Sequence, residues 1–132
     1  MRSGNDDVAL ILLIDDDSFY RDVVRQILED GGHQVLEAQD GAEGLERFRA
    51  QKPDLVITDM RMPGFDGDEV IRKLREIDKQ VRIIAVSGAP TFYNVDYAQL
   101  AKEVGADAIL RKLDPLDRVL IEINGVLKTP VA

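Results

Sequence analysis

Five short apolar runs punctuate this chain, and between them apolar residues recur at helical spacing. The runs are 8–14 (VALILLI), 34–38 (QVLEA), 55–58 (LVIT), 81–86 (VRIIAV) and 108–110 (AIL). The first carries no polar side chain, the mark of a strand buried on both faces, as parallel strands are. Tyr20, Val23, Val24, Ile27 and Leu28 form the first helical stripe, stopped by Gly31-Gly32. Gly41 opens a second helix with Ala42, Leu45 and Phe48 inward. Asp66 and Glu69, three apart, make a capping-box arrangement ahead of Val70, Ile71, Leu74 and Ile77. Tyr97, Leu100, Ala101 and Val104 stripe a fourth helix, closed by Gly105. Asp114 fits an N-cap, with Pro115 at the first helical position and Leu116, Val119, Leu120, Ile123 and Leu127 as the apolar face. Strands alternating with helices require a parallel sheet covered on both sides. Right-handed crossovers then give an α/β fold: a doubly wound five-stranded parallel sheet, strand order 2-1-3-4-5, in a flavodoxin-like three-layer sandwich.

The 132 residues are enough for one domain with a sizeable core. Residues 1–7 lack an apolar pattern and are expected to be a disordered N-terminal segment. The domain itself spans 8–127, and 128–132 form a tail. There is no cysteine, which excludes disulfides and thiolate metal sites. A net charge of -8 argues against direct nucleic-acid binding, which wants a basic face, and leaves protein partners and metal cations open. The apolar run at 8–14 is too short to span a membrane, and its acidic flanks are wrong for a signal peptide. The expected location is the cytoplasm.

In a parallel sheet the carboxyl ends of all strands share one edge, and open α/β sheets place their chemistry there. Residues 54–67, DLVITDMRMPGFDG, deliver Asp59 to that edge. Asp15 and Asp16 leave the first strand, Ser87 the fourth, and Lys112 follows the fifth. Three carboxylates at one edge repel, and each disfavours ionisation of the others. A hard divalent cation relieves this; Mg²⁺ uses few carboxylates, keeps waters and accepts a phosphate oxygen. A carboxylate beside such an ion can attack phosphorus, Ser87 can donate to a phosphoryl oxygen, and Lys112 supplies mobile positive charge. Each residue also has a plainer reading. Asp16 or Asp17 can cap the first helix, Ser87-Gly88 can be a turn, and Lys112 can be a solvated surface residue. His33, after a Gly-Gly turn and without acidic partners, reads as a loop residue and not a ligand.

The segment TDMRMPGFDG (58–67), with an aspartate followed at fixed offsets by Met-Pro and Asp-Gly, closely resembles the phosphoacceptor signature of response-regulator receiver domains. GHQVLEAQDGAEGL (32–45) and GADAILRK (105–112) also resemble segments of that family, and the resemblance runs from Val8 to about Leu127. It implies that Asp59 accepts a phosphoryl group. It implies Mg²⁺ held by Asp16, Asp59 and the backbone carbonyl of Arg61, with Asp15 assisting through water. Ser87 and Lys112 would bind the phosphoryl group. The implied donor is a sensor histidine kinase or a histidine phosphotransfer protein. The implied recipient is a downstream effector protein, or an effector domain in a longer chain. The resemblance also leaves open a phosphorylation-dependent dimer. The domain would not be an enzyme beyond its own phosphorylation and dephosphorylation. Its output surface would comprise a helix beginning near Tyr93, the strand with Ile109 and the last helix. Phe92 or Tyr93, if exposed, can mark a contact there, and packing over the local core is an equal alternative.

Two departures concern the switch. Leu113 stands where the family usually has proline after the lysine, so a trans Lys112–Leu113 bond is expected. Ile109 replaces the aromatic three residues before the lysine, so the coupling of hydroxyl to aromatic must be weakened or rerouted. Other classes compete. Ile14-Asp15-Asp16-Asp17 resembles the Asp-x-Asp strand end of haloacid-dehalogenase-type phosphatases, with Asp15 as nucleophile and Asp17 as acid/base. Against it, no second acidic pair comes late in the chain. A receiver-like interaction module without phosphate is a third reading. Flavin binding is analogy of fold alone.

Overall fold

Leu12 aligns in parallel with Leu36 on one side and Val56 on the other, so the VALILLI run lies inside a sheet. The elements run β1 (Leu10–Ile14), α1 (Ser18–Asp30), β2 (Gln34–Ala38), α2 (Gly41–Gln51), β3 (Leu55–Asp59), α3 (Gly67–Ile77) and β4 (Arg82–Ser87). Then follow β5 (Thr91–Phe92), β6 (Val95–Asp96), α4 (Tyr97–Val104), β7 (Ala108–Arg111) and α5 (Asp117–Lys128). This computed structural model describes residues 8–62, 64, 66–88, 91, 92 and 95–128, with backbone alone at 91, 92 and 95. Five strands pair in parallel in the order β2-β1-β3-β4-β7, the 2-1-3-4-5 arrangement expected from the alternation of strands and helices.

Two cores lie on the two faces of the sheet. Leu12, Ile14, Val56, Ile83 and Ala85 meet Leu45 and Phe48 of α2, Val70 and Leu74 of α3, and Ala101 of α4. Ile11, Leu13, Leu55, Ile57, Ile84 and Val86 meet Val24 and Leu28 of α1 and Val119 and Ile123 of α5. An all-apolar run thus conceals a period of two: successive side chains feed opposite layers. Each fully buried Leu or Ile contributes on the order of 1.5–3 kcal/mol of hydrophobic stabilisation. The sheet is held rigidly from both sides, so residues at its carboxyl edge stand on a fixed base.

Polar joints lock the layers at the other end. Arg75 of α3 donates from Nε and Nη2 to the Gly105 carbonyl (3.0 and 2.8 Å) and from Nη1 to the Val81 carbonyl (2.6 Å). It also meets Asp107 Oδ2 at 3.0 Å, and that oxygen accepts from the Ile83 N–H at 2.8 Å. His33 is buried and not a surface loop residue: Nδ1 accepts from the Ala9 N–H at 3.1 Å, which leaves Nε2 to donate to Asn124 Oδ1 at 3.2 Å. It ties the residue before β1 to α5, and its own partner Asn124 lies ninety-one residues further along the chain, a distance no local pattern reveals.

Several details differ from the sequence reading. Strand β1 begins at Leu10 and not Val8. Ala42 is exposed, and Gly44 takes its inward place: a Cβ there would stand 2.9 Å from Ile14 Cγ1, so a larger residue would have to displace the Ile14 side chain. Asp66 makes no side-chain cap; its carboxylate turns back to accept from the Met62 N–H at 3.1 Å, bracing the loop instead. Ile77 is 43% exposed, at the last turn where α3 leaves the core. Helix α5 begins at Asp117, because the Asp114 carboxylate accepts from the Arg111 N–H (3.2 Å) and holds a turn, which leaves Leu116 exposed. Lys128 closes that helix and is not part of a tail. The antiparallel pair β5–β6 lies in a stretch expected to be loop; two-residue strands carry no periodicity to read. The fourth helix starts at Tyr97 and not near Tyr93. Residues 1–7, Tyr93, the Phe92 side chain and residues 129–132, all subjects of expectations above, lie outside the described residues.

Candidate functional site

At the carboxyl edge β1 runs out at Ile14, and the next residue, Asp15, extends the ladder by one bond, its N–H donating to the Ala38 carbonyl at 3.1 Å. That bond holds Asp15 in the sheet, 1% exposed, while Asp16 faces solvent. Asp17 caps α1, accepting from the N–H groups of Phe19 (3.0 Å) and Tyr20 (3.2 Å). Of the two plainer readings of the acidic run, the cap therefore falls to Asp17. One oxygen of Asp17 thus serves the helix start, which gives this residue a structural role.

Asp59 ends β3, buried at 5% exposure and registered against Val86 of β4. Ser87 ends β4, also buried, and its carbonyl accepts from the Lys112 N–H at 3.0 Å. That bond prolongs the pairing of β4 with β7 and brings the lysine to the edge. Lys112 Nζ then lies 3.1 Å from Asp15 Oδ2 and 3.2 Å from Asp59 Oδ2. Arg61, two residues past Asp59, donates its N–H to Asp59 Oδ1 at 3.4 Å. One carboxylate oxygen from each of Asp15, Asp16 and Asp59 lies within 4.8 Å of the others, a grouping that can hold a metal ion. All the residues singled out at strand ends therefore converge on one edge of the sheet.

The electrostatics follow from burial. Asp15 is pushed up from 3.8 to about 6, first by loss of water and then by the neighbouring Asp59 charge. Asp59 is raised as well, again by burial, with Lys112 opposing. Burial works against the Lys112 ammonium, but Asp59 and Asp15 outweigh it and raise its pKa. The lysine is a cation fixed between two carboxylates that hold their charges at a cost.

Three contributors were not legible as functional. Arg21 of α1 donates from Nη1 to the Asp15 carbonyl (2.6 Å) and from Nε to Glu37 Oε1 of β2 (3.0 Å), which pins the peptide joining Asp15 to Asp16. Nothing in its spacing distinguishes it from a solvated helix arginine. Tyr20, placed in the apolar stripe of the first helix, also lies under Lys112, whose Nζ is 4.8 Å from its ring centroid. Gly67, part of the quoted motif, has a steric reason for being glycine. A Cβ there would come within 2.7 Å of Met60 Cα, so the start of α3 lies directly on the backbone that follows Asp59. Of the departures, Ile109 packs partly buried against the core shared by α2, α3 and α4, and Leu113 is 89% exposed. No cis peptide bond occurs among the described residues, so Lys112–Leu113 is trans as expected.

Comparison with known proteins agrees with this geometry. The family model of the response regulator receiver domain matches residues 11–124. The chain is 36% identical over 119 residues to the chemotaxis protein CheY of Bacillus subtilis, covering 89% of this chain and 96% of that one. It is 30% identical over 109 residues to the sporulation initiation phosphotransferase F of the same organism, covering 83% and 86%. Among solved structures, a response regulator receiver domain protein from Clostridium thermocellum superposes with a TM-score of 0.81 at 35% identity, over 90% of this chain and 94% of that one. A sheet in this order, an acidic edge facing a lysine, and likeness along nearly the whole chain lead to one assignment: the chain belongs to the response regulator receiver domain family.

Proposed function

We propose that this domain takes a phosphoryl group onto Asp59 and thereby switches a protein-interaction surface in phosphorelay signalling. The observation that carries the reading is the shared lysine: one ammonium bridges Asp59 and Asp15, at an edge where Asp16 supplies a third carboxylate. In the transfer, an Asp59 carboxylate oxygen forms a bond to phosphorus as the bond from phosphorus to the donor breaks. With a phosphohistidine donor the electron pair returns to the imidazole nitrogen, and the product is an aspartyl phosphate. Lys112 balances the charge delivered to the edge, and the Ser87 hydroxyl donates to a phosphoryl oxygen. The same acyl phosphate is open to hydrolysis, so self-dephosphorylation belongs to the reading.

The donor set is all hard oxygen, and the carboxylate oxygens of Asp15, Asp16 and Asp59 lie within 4.8 Å of one another, close enough to share a cation. Asp16, Asp59 and the Arg61 carbonyl would hold Mg²⁺, with Asp15 assisting through water. The ion would neutralise charge on the phosphoryl oxygens. The donor is a sensor histidine kinase or a histidine phosphotransfer protein in the cytoplasm, and the recipient is an effector protein or domain. No helix among the described residues is long and apolar enough to cross a membrane, and a net charge of -8 argues against a nucleic-acid partner. The output surface in this reading is formed by α4, β7 and α5, where Ile109, packed against the α4 side, stands in for the family's aromatic.

Incubation with acetyl phosphate and Mg²⁺ tests the assignment. The wild type should gain the mass of one phosphoryl group, and Asp59→Asn should gain none while melting as a folded protein. Undiminished labelling of the variant would refute it.

A further inference from the structure

The Lys112 side chain has four rotatable bonds and leaves a turn whose next residue, Leu113, is almost fully exposed. Its backbone is held by the bond to Ser87, but that bond does not direct the side chain. Among the described residues, three contacts do: the carboxylates of Asp15 and Asp59, and the ring of Tyr20. Two of these change with the chemistry proposed above, because Asp59 becomes an acyl phosphate and Asp15 lies beside the cation. Of these three, the ring is the contact that the reaction leaves as it was.

Tyr20 is itself well fixed. Its N–H is capped by Asp17 Oδ1 at 3.2 Å, and its side chain packs partly buried against the core under α1 and α5. Burial raises its hydroxyl to about 12, so the ring stays neutral at any working pH and presents an uncharged π face. A cation over such a face is attracted by the ring quadrupole, more strongly as water is excluded. The Lys112 side chain is only 20% exposed, so water is largely excluded here.

We propose that Tyr20 is a positioning residue for Lys112: its ring holds the ammonium at the acidic edge while the carboxylates change partners. The inference rests on the reading of Asp59 as phosphoacceptor. It requires the aromatic face and not the hydroxyl. Phenylalanine should serve in place of tyrosine, and leucine, which fills the core without a π face, should not.

The test uses the full chain in wild-type, Tyr20→Phe, Tyr20→Leu and Asp59→Asn forms, with acetyl phosphate and Mg²⁺. Tyr20→Phe should label at the wild-type rate within about twofold, and Tyr20→Leu about three- to tenfold more slowly. The loss should fall on the rate at saturating donor and not on the donor concentration for half-saturation. Independently of activity, the Lys112 methylene resonances in NMR should carry a ring-current shift in wild type and Tyr20→Phe that disappears in Tyr20→Leu. If Tyr20→Leu melts well below wild type, Tyr20→Met replaces it, with the same expectation. Equal labelling by wild type and the leucine variant would overturn the inference. So would a phenylalanine variant as slow as the leucine one, since the hydroxyl would then be the active feature. A wild type that takes no label refutes the phosphoacceptor reading instead, and the ring-current shift then still decides whether the contact exists.

Discussion

Asp15 contributes one carboxylate that the folded state would rather keep protonated. Its pKa is about 6 when folded against an ordinary 3.8, so between these values the folded chain binds more protons than the unfolded one. The associated stability is present in full below the unfolded value and is lost as pH rises through the folded value. Asp59 is shifted in the same direction and adds to the effect. In chelator, the melting temperature of the wild type should therefore fall as pH rises from about 4 to about 7. Asp15→Asn should flatten that fall and melt several degrees higher at neutral pH, checked by thermal melts across the range. Superimposable profiles for the two proteins would show that Asp15 does not carry the strain. At this scale the sequence reading reached Asp15, Asp16, Asp59, Ser87 and Lys112, because each follows an apolar run and strand ends share an edge. It did not reach Arg21, whose partner is a carbonyl that no side-chain pattern encodes, nor the second role of Tyr20, whose place in a helical stripe already explained it.

The entry of α3 into the fold is set by one missing methyl group. Alanine at 67 would bring its Cβ into the backbone of Asp59 and Met60, atoms that cannot swing aside as a side-chain tip could. Gly67→Ala should therefore destabilise the fold by about 1–3 kcal/mol, the range for overpacking. It should also slow acetyl phosphate labelling, because the loop carrying Arg61 must shift. Urea unfolding and the labelling rate measure the two effects. Gly125→Ala, in α5 with no neighbouring atom in the way, should instead gain about 0.5–1 kcal/mol from helix propensity. Destabilisation by both substitutions would mean that loss of glycine as such, and not the close approach, is at fault. Helices and strands were legible as elements because their apolar residues keep a period. Their ends were less so: Asp66 and Asp114 have the sequence of caps but spend their carboxylates on the Met62 and Arg111 N–H groups.

Across the molecule, the chemistry sits at one edge of the sheet and the Arg75 joint at the other. Arg75 holds α3, the start of β4 and the joint between α4 and β7, at the edge away from Asp59. Removing it would leave the Gly105 and Val81 carbonyls without their guanidinium donor. Arg75→Ala should cost about 2–3 kcal/mol in chemical unfolding, and Arg75→Lys should recover only part, since an ammonium cannot fork to several acceptors. The labelling rate of folded protein should stay unchanged; a parallel loss would mean the two edges are coupled. The sequence by itself determined the fold and pointed to the residues that gather at the candidate site, because period-two and helical patterns name the elements and parallel topology gathers their ends. Only the tertiary structure decided which acid caps the helix, which helix residues brace the site, and why position 67 is glycine. Those depend on distances between segments far apart in the chain, which composition and periodicity do not carry.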